Sequence, residues 1–135
     1  VFDTEDSLRF EGDTGPYLLY TYARARRILD KTTGNPKIDS ESAAKLTRPQ
    51  ERGLVKKLSM LDISAASAGE YLSPKEVARF AHDLAVAFND FYESVQVNRE
   101  ADASLRDARL ALVDAASQVL AESMRLMGIP YRERI

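Results

Sequence analysis

Apolar residues recur three or four positions apart along most of this chain, the spacing that places them on one face of an α-helix. The clearest start signal is S-P-K-E at 73–76, where Ser73 suits an N-cap, Pro74 the first helical position and Glu76 the return of a capping box. A core helix is predicted to follow, with an apolar stripe formed by Val77, Phe80, Leu84, Phe88, Phe91 and Val95.

Near the start of the chain, a first helix is predicted to open at Pro16, after the turn-forming residues 13–15, and to end before Gly34. It would cover 16–31. The stretch 32–46 is polar and rich in turn-forming residues. This composition predicts a surface connection with a short helical turn near 42–46.

Another helix is predicted to begin after Thr47 as N-cap, with Gln50 placed to return the capping-box hydrogen bond. Its apolar stripe continues to Leu72. We expect a break or bend at 62–64, because short polar side chains there compete for the backbone hydrogen bonds of a helix.

The last helix is predicted over about 102–127, and Gly128 is predicted to stop it, with Ile129 as an apolar clasp. Its core face would be formed by Leu105, Ala108, Leu112, Ala115, Val119 and Leu126, and widened by Val113, Leu120, Met124 and Met127. No segment alternates apolar and polar residues as a strand does. The predicted fold class is therefore all-α, an antiparallel bundle of four or five helices in a single domain over 1–135.

Composition excludes several classes of function. The 135 residues contain no cysteine, so disulfides and thiolate sites are excluded, and a single histidine rules out a multi-histidine metal site. That residue, His82, lies on the shoulder of a predicted core helix, where a structural role is favoured over a catalytic triad. No phosphate-binding glycine loop and no apolar run long enough to cross a membrane is present. We therefore assign no catalytic residue, no metal and no cofactor to this segment.

What remains is a set of side chains suited to recognition. The net charge of −2 excludes a free-standing electropositive clamp for nucleic acid, yet 17–31 is locally basic. Aromatic and basic side chains recur there at helical spacing: Tyr17, Tyr20, Arg24, Arg27 and Lys31. Rings beside guanidinium groups suit single-stranded RNA, because rings stack on bases while arginine binds phosphates or base edges. The alternative is that Tyr17 pads the core and the basic residues form a solvated face.

A second such pair lies on the predicted core helix. Tyr92 and Gln96 are four residues apart and flank its apolar stripe. Taken alone, a tyrosine in that position is usually the edge of a core with its hydroxyl in water.

The segment FEGDTGPYLLYTYAR at 10–24 resembles the motif that leads into the C-terminal anticodon-binding domain, of the DALR type, of arginyl-tRNA synthetases. Residues 104–135 are similar to the final helix and tail of that family. The resemblance implies binding of the anticodon loop of arginine tRNA by Tyr20, Arg24 and Tyr92. Gln96 stands where some relatives place a tryptophan, and Ile135 takes the place of a terminal methionine. With Tyr17 and Arg27, these residues form the predicted tRNA-binding set.

The same resemblance implies a larger, cytoplasmic parent enzyme, an ATP-dependent arginine–tRNA ligase whose catalytic domain is a partner of this one. Its activation motifs are absent from these residues, so ATP and Mg²⁺ are implied only for that catalytic domain. Residues 1–15 would be the lead-in segment after it, and 16–135 the helical bundle. The alternative is a stand-alone, synthetase-related helical module that binds a protein partner without catalysis.

Overall fold

A computed structural model describes residues 4–32, 36, 38–67 and 74–131 of the chain. Over these ranges it contains five helices and no strand, which confirms the predicted all-α bundle. The helices are α1 (Thr4–Asp30), α2 (Ser40–Ala43), α3 (Pro49–Ser67), α4 (Pro74–Ser94) and α5 (Ala103–Leu126). Helices α4 and α5 pack on each other at the centre, α1 and α3 each contact both of them, and α2 lies against α5.

The stripe predicted for α4 forms the middle of the core. Leu84, Phe88 and Phe91 are fully buried, and the two phenylalanine rings lie 6.1 Å apart. The helix begins at Pro74 as predicted, while Ser73, its predicted N-cap, lies outside the described residues. The start signal at Pro74 and the apolar periodicity therefore located this helix and its buried face.

The buried face of α5 is rotated from the predicted one. Val113, Leu120 and Met124 are fully buried, whereas Leu126 is 57% exposed. Two residues along an α-helix turn the side chain by about 200°, so a helix that buries Met124 turns Leu126 outward. Leu126 was thus wrongly predicted to be a core residue.

The first helix begins twelve positions earlier than predicted, at Thr4 instead of Pro16. A proline inside a helix removes one backbone hydrogen bond, which is why it suggested a start. Pro16 faces solvent, and residues 4–11 contain neither glycine nor proline to end a helix. The predicted lead-in segment is therefore helical from Thr4 and continuous with the bundle.

The start of α3 was also mispredicted, by one residue. Arg48 instead of Thr47 precedes the helix, and Glu51 instead of Gln50 reaches back, its Oε1 accepting the Arg48 backbone N–H at 3.0 Å. Pro49 takes the first helical position, which its fixed φ favours. The helix then continues through 62–64 to Ser67 without the predicted break.

A buried ion pair joins α3 to α5. Arg109 Nε donates to Glu51 Oε2 at 2.8 Å, and these side chains are 5% and 0% exposed. Arg109 Nη1 also lies 3.0 Å from Glu100 Oε2, in the loop before α5. A buried arginine is thus satisfied by two carboxylates, an arrangement that the sequence analysis missed.

Both ends of α5 are capped. Asp102 is the N-cap, and its Oδ1 accepts the backbone N–H groups of Ser104 and Leu105. Lys45 Nζ lies 3.0 Å from the other carboxylate oxygen. The hydrogen bond from Lys45, followed by that from Leu105, holds the pKa of Asp102 below its ordinary value.

We expect this cap to make stability acid-sensitive. Because the pKa of Asp102 is lower in the folded chain than in the unfolded one, its carboxylate stabilises the fold fully at pH values above the unfolded pKa. This stabilisation is lost as the pH falls below about 4 and through the folded pKa. Asp102→Asn keeps a capping oxygen but cannot titrate, so its melting temperature should fall less steeply with acid. Circular dichroism melts between about pH 5 and pH 2 test this, and equal slopes for both proteins would contradict it.

Beyond the C-terminus of α5, Gly128 stops the helix as predicted, and it has a φ of 71°. The Gly128 N–H donates to the Arg125 carbonyl at 3.1 Å, and the Ile129 N–H to the Met124 carbonyl at 2.8 Å. These two bonds form a Schellman motif, which requires a left-handed residue where glycine stands.

Gly128→Ala should therefore destabilise the fold by about 1 kcal/mol, because an L-residue strains in the left-handed region. An added Cβ would meet no atom within 4 Å, so the cost is conformational and not steric. Gly53→Ala is the matched control: it also meets no atom within 4 Å but lies inside α3. It should stabilise by about 0.5–1 kcal/mol. Urea denaturation measures both, and a shift of the same sign in the two variants would contradict this account.

Candidate nucleic-acid interface

Three of the predicted tRNA-binding residues meet where α1 packs on α4. The guanidinium carbon of Arg24 lies 4.8 Å from the ring centroid of Tyr20 and 4.0 Å from that of Tyr92. Tyr20 and Arg24 are one helical turn apart on α1, while Tyr92 comes from the last turn of α4. We call these three residues the tyrosine–arginine layer.

The layer combines solvent exposure with order. Tyr20 is 50% exposed and Tyr92 is 39% exposed, so both rings offer apolar surface to a ligand. Cation–π attraction between each ring and the guanidinium stabilises the arrangement. Arg24 also donates one hydrogen bond from Nη2 to the Tyr20 hydroxyl. Exposed rings fixed around a cation are suited to stacking on unpaired bases.

Asn89 of α4 lies beneath the layer, and the sequence analysis missed it. Its Oδ1 accepts a hydrogen bond from Arg24 Nη1 at 2.8 Å. Its Nδ2 donates to Thr21 Oγ1 at 2.9 Å and to the Tyr17 hydroxyl at 3.1 Å. One signal was available: asparagine is a weak helix former, yet Asn89 lies mid-helix next to the core stripe, one turn before Tyr92.

Tyr17 is half-buried and packs against the hydrophobic core, as the alternative interpretation expected. Its ring centroid lies 5.4 Å from that of His82. Because its hydroxyl accepts the hydrogen bond from Asn89, Tyr17 also supports the layer from below. Tyr17 is thus partly a core residue, as that alternative interpretation predicts, and it also adjoins the tyrosine–arginine layer.

Two further basic residues of the predicted aromatic and basic set, Arg27 in the last turn of α1 and Lys31 just after the helix, lie apart from the layer. Arg27 and Lys31 are exposed, and Arg27 Nε donates to the Ala23 carbonyl of its own helix at 3.3 Å. No described contact joins either side chain to Tyr20, Arg24 or Tyr92. Their charges nevertheless leave this surface of α1 basic.

Gln96 does not lie on α4, contrary to the prediction that pairs it with Tyr92 four residues earlier. The helix ends at Ser94, whose carbonyl accepts a hydrogen bond from Arg48 Nη1 at 3.2 Å. Val95 and Val97 are both buried, at 4% and 5% exposure, while Gln96 between them is exposed. Residues two apart share a face only in extended backbone, so burying both valines ends the helix and turns Gln96 outward.

The tail beyond α5 is placed along α1. The ring of Tyr131 lies edge-on to that of Tyr22, with the centroids 5.3 Å apart and the planes at 71°. Ile129 Cδ1 lies 3.8 Å from the position a Cβ would take at Gly15. Ile135, the predicted terminal wedge, lies outside the described residues.

Neither a metal site nor a membrane span is found in the part of the chain that the structure describes. Within it, no three His, Cys, Asp or Glu side chains are grouped so that they could hold an ion. Likewise, no described helix is both long and apolar enough to cross a bilayer.

Residues 18–135 match the protein family described as the DALR anticodon binding domain, and this match covers most of the chain. The chain belongs to that family. The matched region of the DALR domain includes Tyr20, Arg24, Asn89 and Tyr92, and thus the whole tyrosine–arginine layer. The family resemblance predicted from the sequence is confirmed.

Curated relatives of this DALR domain are enzymes named arginine–tRNA ligase. The protein of Clostridium acetobutylicum is 38% identical over 138 residues, which cover 100% of this chain and 24% of the relative. That of Lactobacillus acidophilus is 40% identical over 95% of the chain and 22% of its own length. That of Methanococcoides burtonii is 38% identical over 96% and 23%. The chain therefore spans about a quarter of the length of the relatives it matches.

Proposed function

We propose that this chain binds the anticodon loop of arginine tRNA and acts as the anticodon-binding domain of an ATP-dependent arginine–tRNA ligase. The observation that carries the proposal is the exposed layer of Tyr20, Arg24 and Tyr92, ordered by Asn89. The family match and the arginine–tRNA ligase relatives support the choice of ligand.

Recognition is by stacking and hydrogen bonding more than by charge. Anticodon bases turned out of their loop stack on the rings of Tyr20 and Tyr92, while Arg24 donates to a base edge or a phosphate. Each stacked base is worth about 1–3 kcal/mol. A chain of net charge −2 neutralises few phosphates, so its affinity should depend weakly on salt for a nucleic-acid binder.

Catalysis in this proposal belongs to a catalytic domain of the parent enzyme, which holds ATP and Mg²⁺ and works in the cytoplasm. This chain selects the tRNA and positions it, because contacts with the anticodon fix the orientation of the tRNA and so place its distant reacting end at the catalytic domain. The alternative, a stand-alone module that binds a protein, is not favoured, since relatives covering the whole chain are arginine–tRNA ligases.

The test is an NMR titration of the ¹⁵N-labelled chain with the anticodon stem-loop of an arginine tRNA. A matched stem-loop with only the central anticodon base changed is the control. We expect chemical-shift changes at Tyr20, Arg24, Asn89 and Tyr92 with the first loop and much weaker ones with the second. Signals of α3, which has no contact with α1 among the described residues, should stay unchanged. Equal changes with both loops, or none with either, would contradict anticodon recognition by this surface.

A further inference from the structure

We propose that Asn89 is the positioning residue of this interface: it fixes the Arg24 guanidinium before RNA arrives and so presents the layer preformed. The inference rests on the proposed function, since it concerns how the same surface is made ready for tRNA. Asn89 itself lies beneath the exposed rings and is not expected to touch the ligand.

The hydrogen bonds around Asn89 determine which way its amide points. The single hydroxyl proton of Thr21 is donated to the Tyr17 carbonyl at 2.9 Å, so Thr21 Oγ1 can only accept from Asn89. The amide nitrogen must therefore face Thr21, and the amide oxygen faces Arg24. Arginine has only donors, so the opposite orientation would place donor against donor.

This orientation fixes Arg24 on several sides at once. Its guanidinium carbon lies 4.8 Å and 4.0 Å from the ring centroids of Tyr20 and Tyr92, and Nη1 and Nη2 each already donate one hydrogen bond within the protein. The donors that these hydrogen bonds leave unused are then held in place for an RNA acceptor. The guanidinium is set up for hydrogen bonding to an acceptor, while the tyrosines are left to stack.

Arg27 shows what an arginine on the same helix does without such a partner. It is exposed, and its one described hydrogen bond goes to its own helix backbone at 3.3 Å. Ordering a long side chain on binding weakens affinity, so an arginine that is ordered beforehand binds more tightly. We expect the loss of Asn89 to weaken stem-loop binding by about two- to tenfold, the cost of ordering one such side chain.

The experiment compares Asn89→Leu with Asn98→Leu in the same chain. Asn98 also links the α4 side of the bundle to α1, through Nδ2 and the Ile28 carbonyl at 3.4 Å, but it does not touch Arg24. Dissociation constants for the arginine anticodon stem-loop are measured for both variants, alone and combined with Arg24→Gln. Asn89→Ala gives the same comparison if the leucine variant does not fold, and Asn89→Asp keeps an acceptor for Arg24.

A second readout reports on the arginine itself. The ¹⁵N relaxation of the Arg24 Nε–H group in the free chain should be that of an ordered side chain, whereas Arg27 should be mobile. In Asn89→Leu, Arg24 should become as mobile as Arg27. A purely structural asparagine would lower stability without changing this difference between two arginines on one helix.

The expected result is a two- to tenfold loss in Asn89→Leu, little change in Asn98→Leu, and retention within about twofold in Asn89→Asp. In the Arg24→Gln background, Asn89→Leu should cause no further loss. Wild-type affinity in Asn89→Leu, or an equal loss with and without Arg24, overturns the positioning role while leaving anticodon binding in place. If Arg24→Gln itself binds as tightly as the wild type, the proposed interface fails, and the positioning role with it.

Discussion

Replacing Arg109 with methionine should destabilise the domain by about 3–5 kcal/mol, because Glu51 would then be a buried carboxylate without its cation. The Glu51 side chain is fully buried, and the hydrogen bond from Arg109 at 2.8 Å satisfies one of its two oxygens. The other oxygen accepts the Arg48 backbone N–H at the start of α3. Domains of this size are stable by about 5–15 kcal/mol, so the loss is a large fraction of the total.

Urea denaturation of Arg109→Met measures this loss, and two further variants isolate its cause. Glu100→Gln removes only the charge of the other partner of Arg109, which is 28% exposed, and should cost much less. The double variant Arg109→Met with Glu51→Gln should recover part of the loss, because glutamine carries no charge and can still accept the Arg48 N–H. A cost below about 1 kcal/mol for Arg109→Met, or no recovery in the double variant, would contradict the account.

This ion pair illustrates what sequence patterns do not reveal. Glu51 and Arg109 are 58 residues apart, and each looks like an ordinary charged residue of an amphipathic helix. Periodicity reports which face of one helix is apolar, as it did for α4, but not which charged residues of two helices meet. Pairing of buried charges depends on how α3 and α5 are set against each other, and that is a property of the assembled bundle.

Helix ends were predicted where a local chemical signal is decisive. Gly128 stops α5 because the left-handed position after a helix favours glycine strongly. Pro16 is a weaker signal: its cost as an interior residue is finite, and α1 continues through it. The end of α4 before Gln96 is set by the burial of Val95 and Val97, which spacing within one helix cannot show.

For the tyrosine–arginine layer, the sequence analysis predicted the three residues but not the residue that supports them. Tyr20 and Arg24 share a face of α1 by spacing, and the resemblance added Tyr92 from another helix. Asn89 lies 65 residues from Arg24 in the chain, and no sequence motif distinguishes it from other asparagines. Supporting residues of this kind are identified only when the hydrogen bonds between helices are known.

The other large effect concerns RNA binding by the layer. Tyr20→Leu should weaken binding of the arginine anticodon stem-loop by about 1–3 kcal/mol, or roughly five- to 150-fold, because leucine has no ring for a base to stack on. Tyr20 is 50% exposed and Tyr92 is 39% exposed, so Tyr20 offers more surface to a ligand and buries less of itself in the fold. Its loss should therefore affect binding far more than folding.

Tyr20→Phe separates the ring from the hydroxyl. Phenylalanine keeps the stacking surface and the cation–π contact with Arg24 but loses the oxygen that accepts its hydrogen bond. We expect it to lose less than about 1 kcal/mol, since Asn89 still holds the guanidinium. The control is Met60→Ala, which should leave binding unchanged. Met60 is an apolar residue of α3 that is 41% exposed. If Tyr20→Phe were as impaired as Tyr20→Leu, the hydroxyl instead of the ring would carry recognition, and stacking on Tyr20 would be refuted.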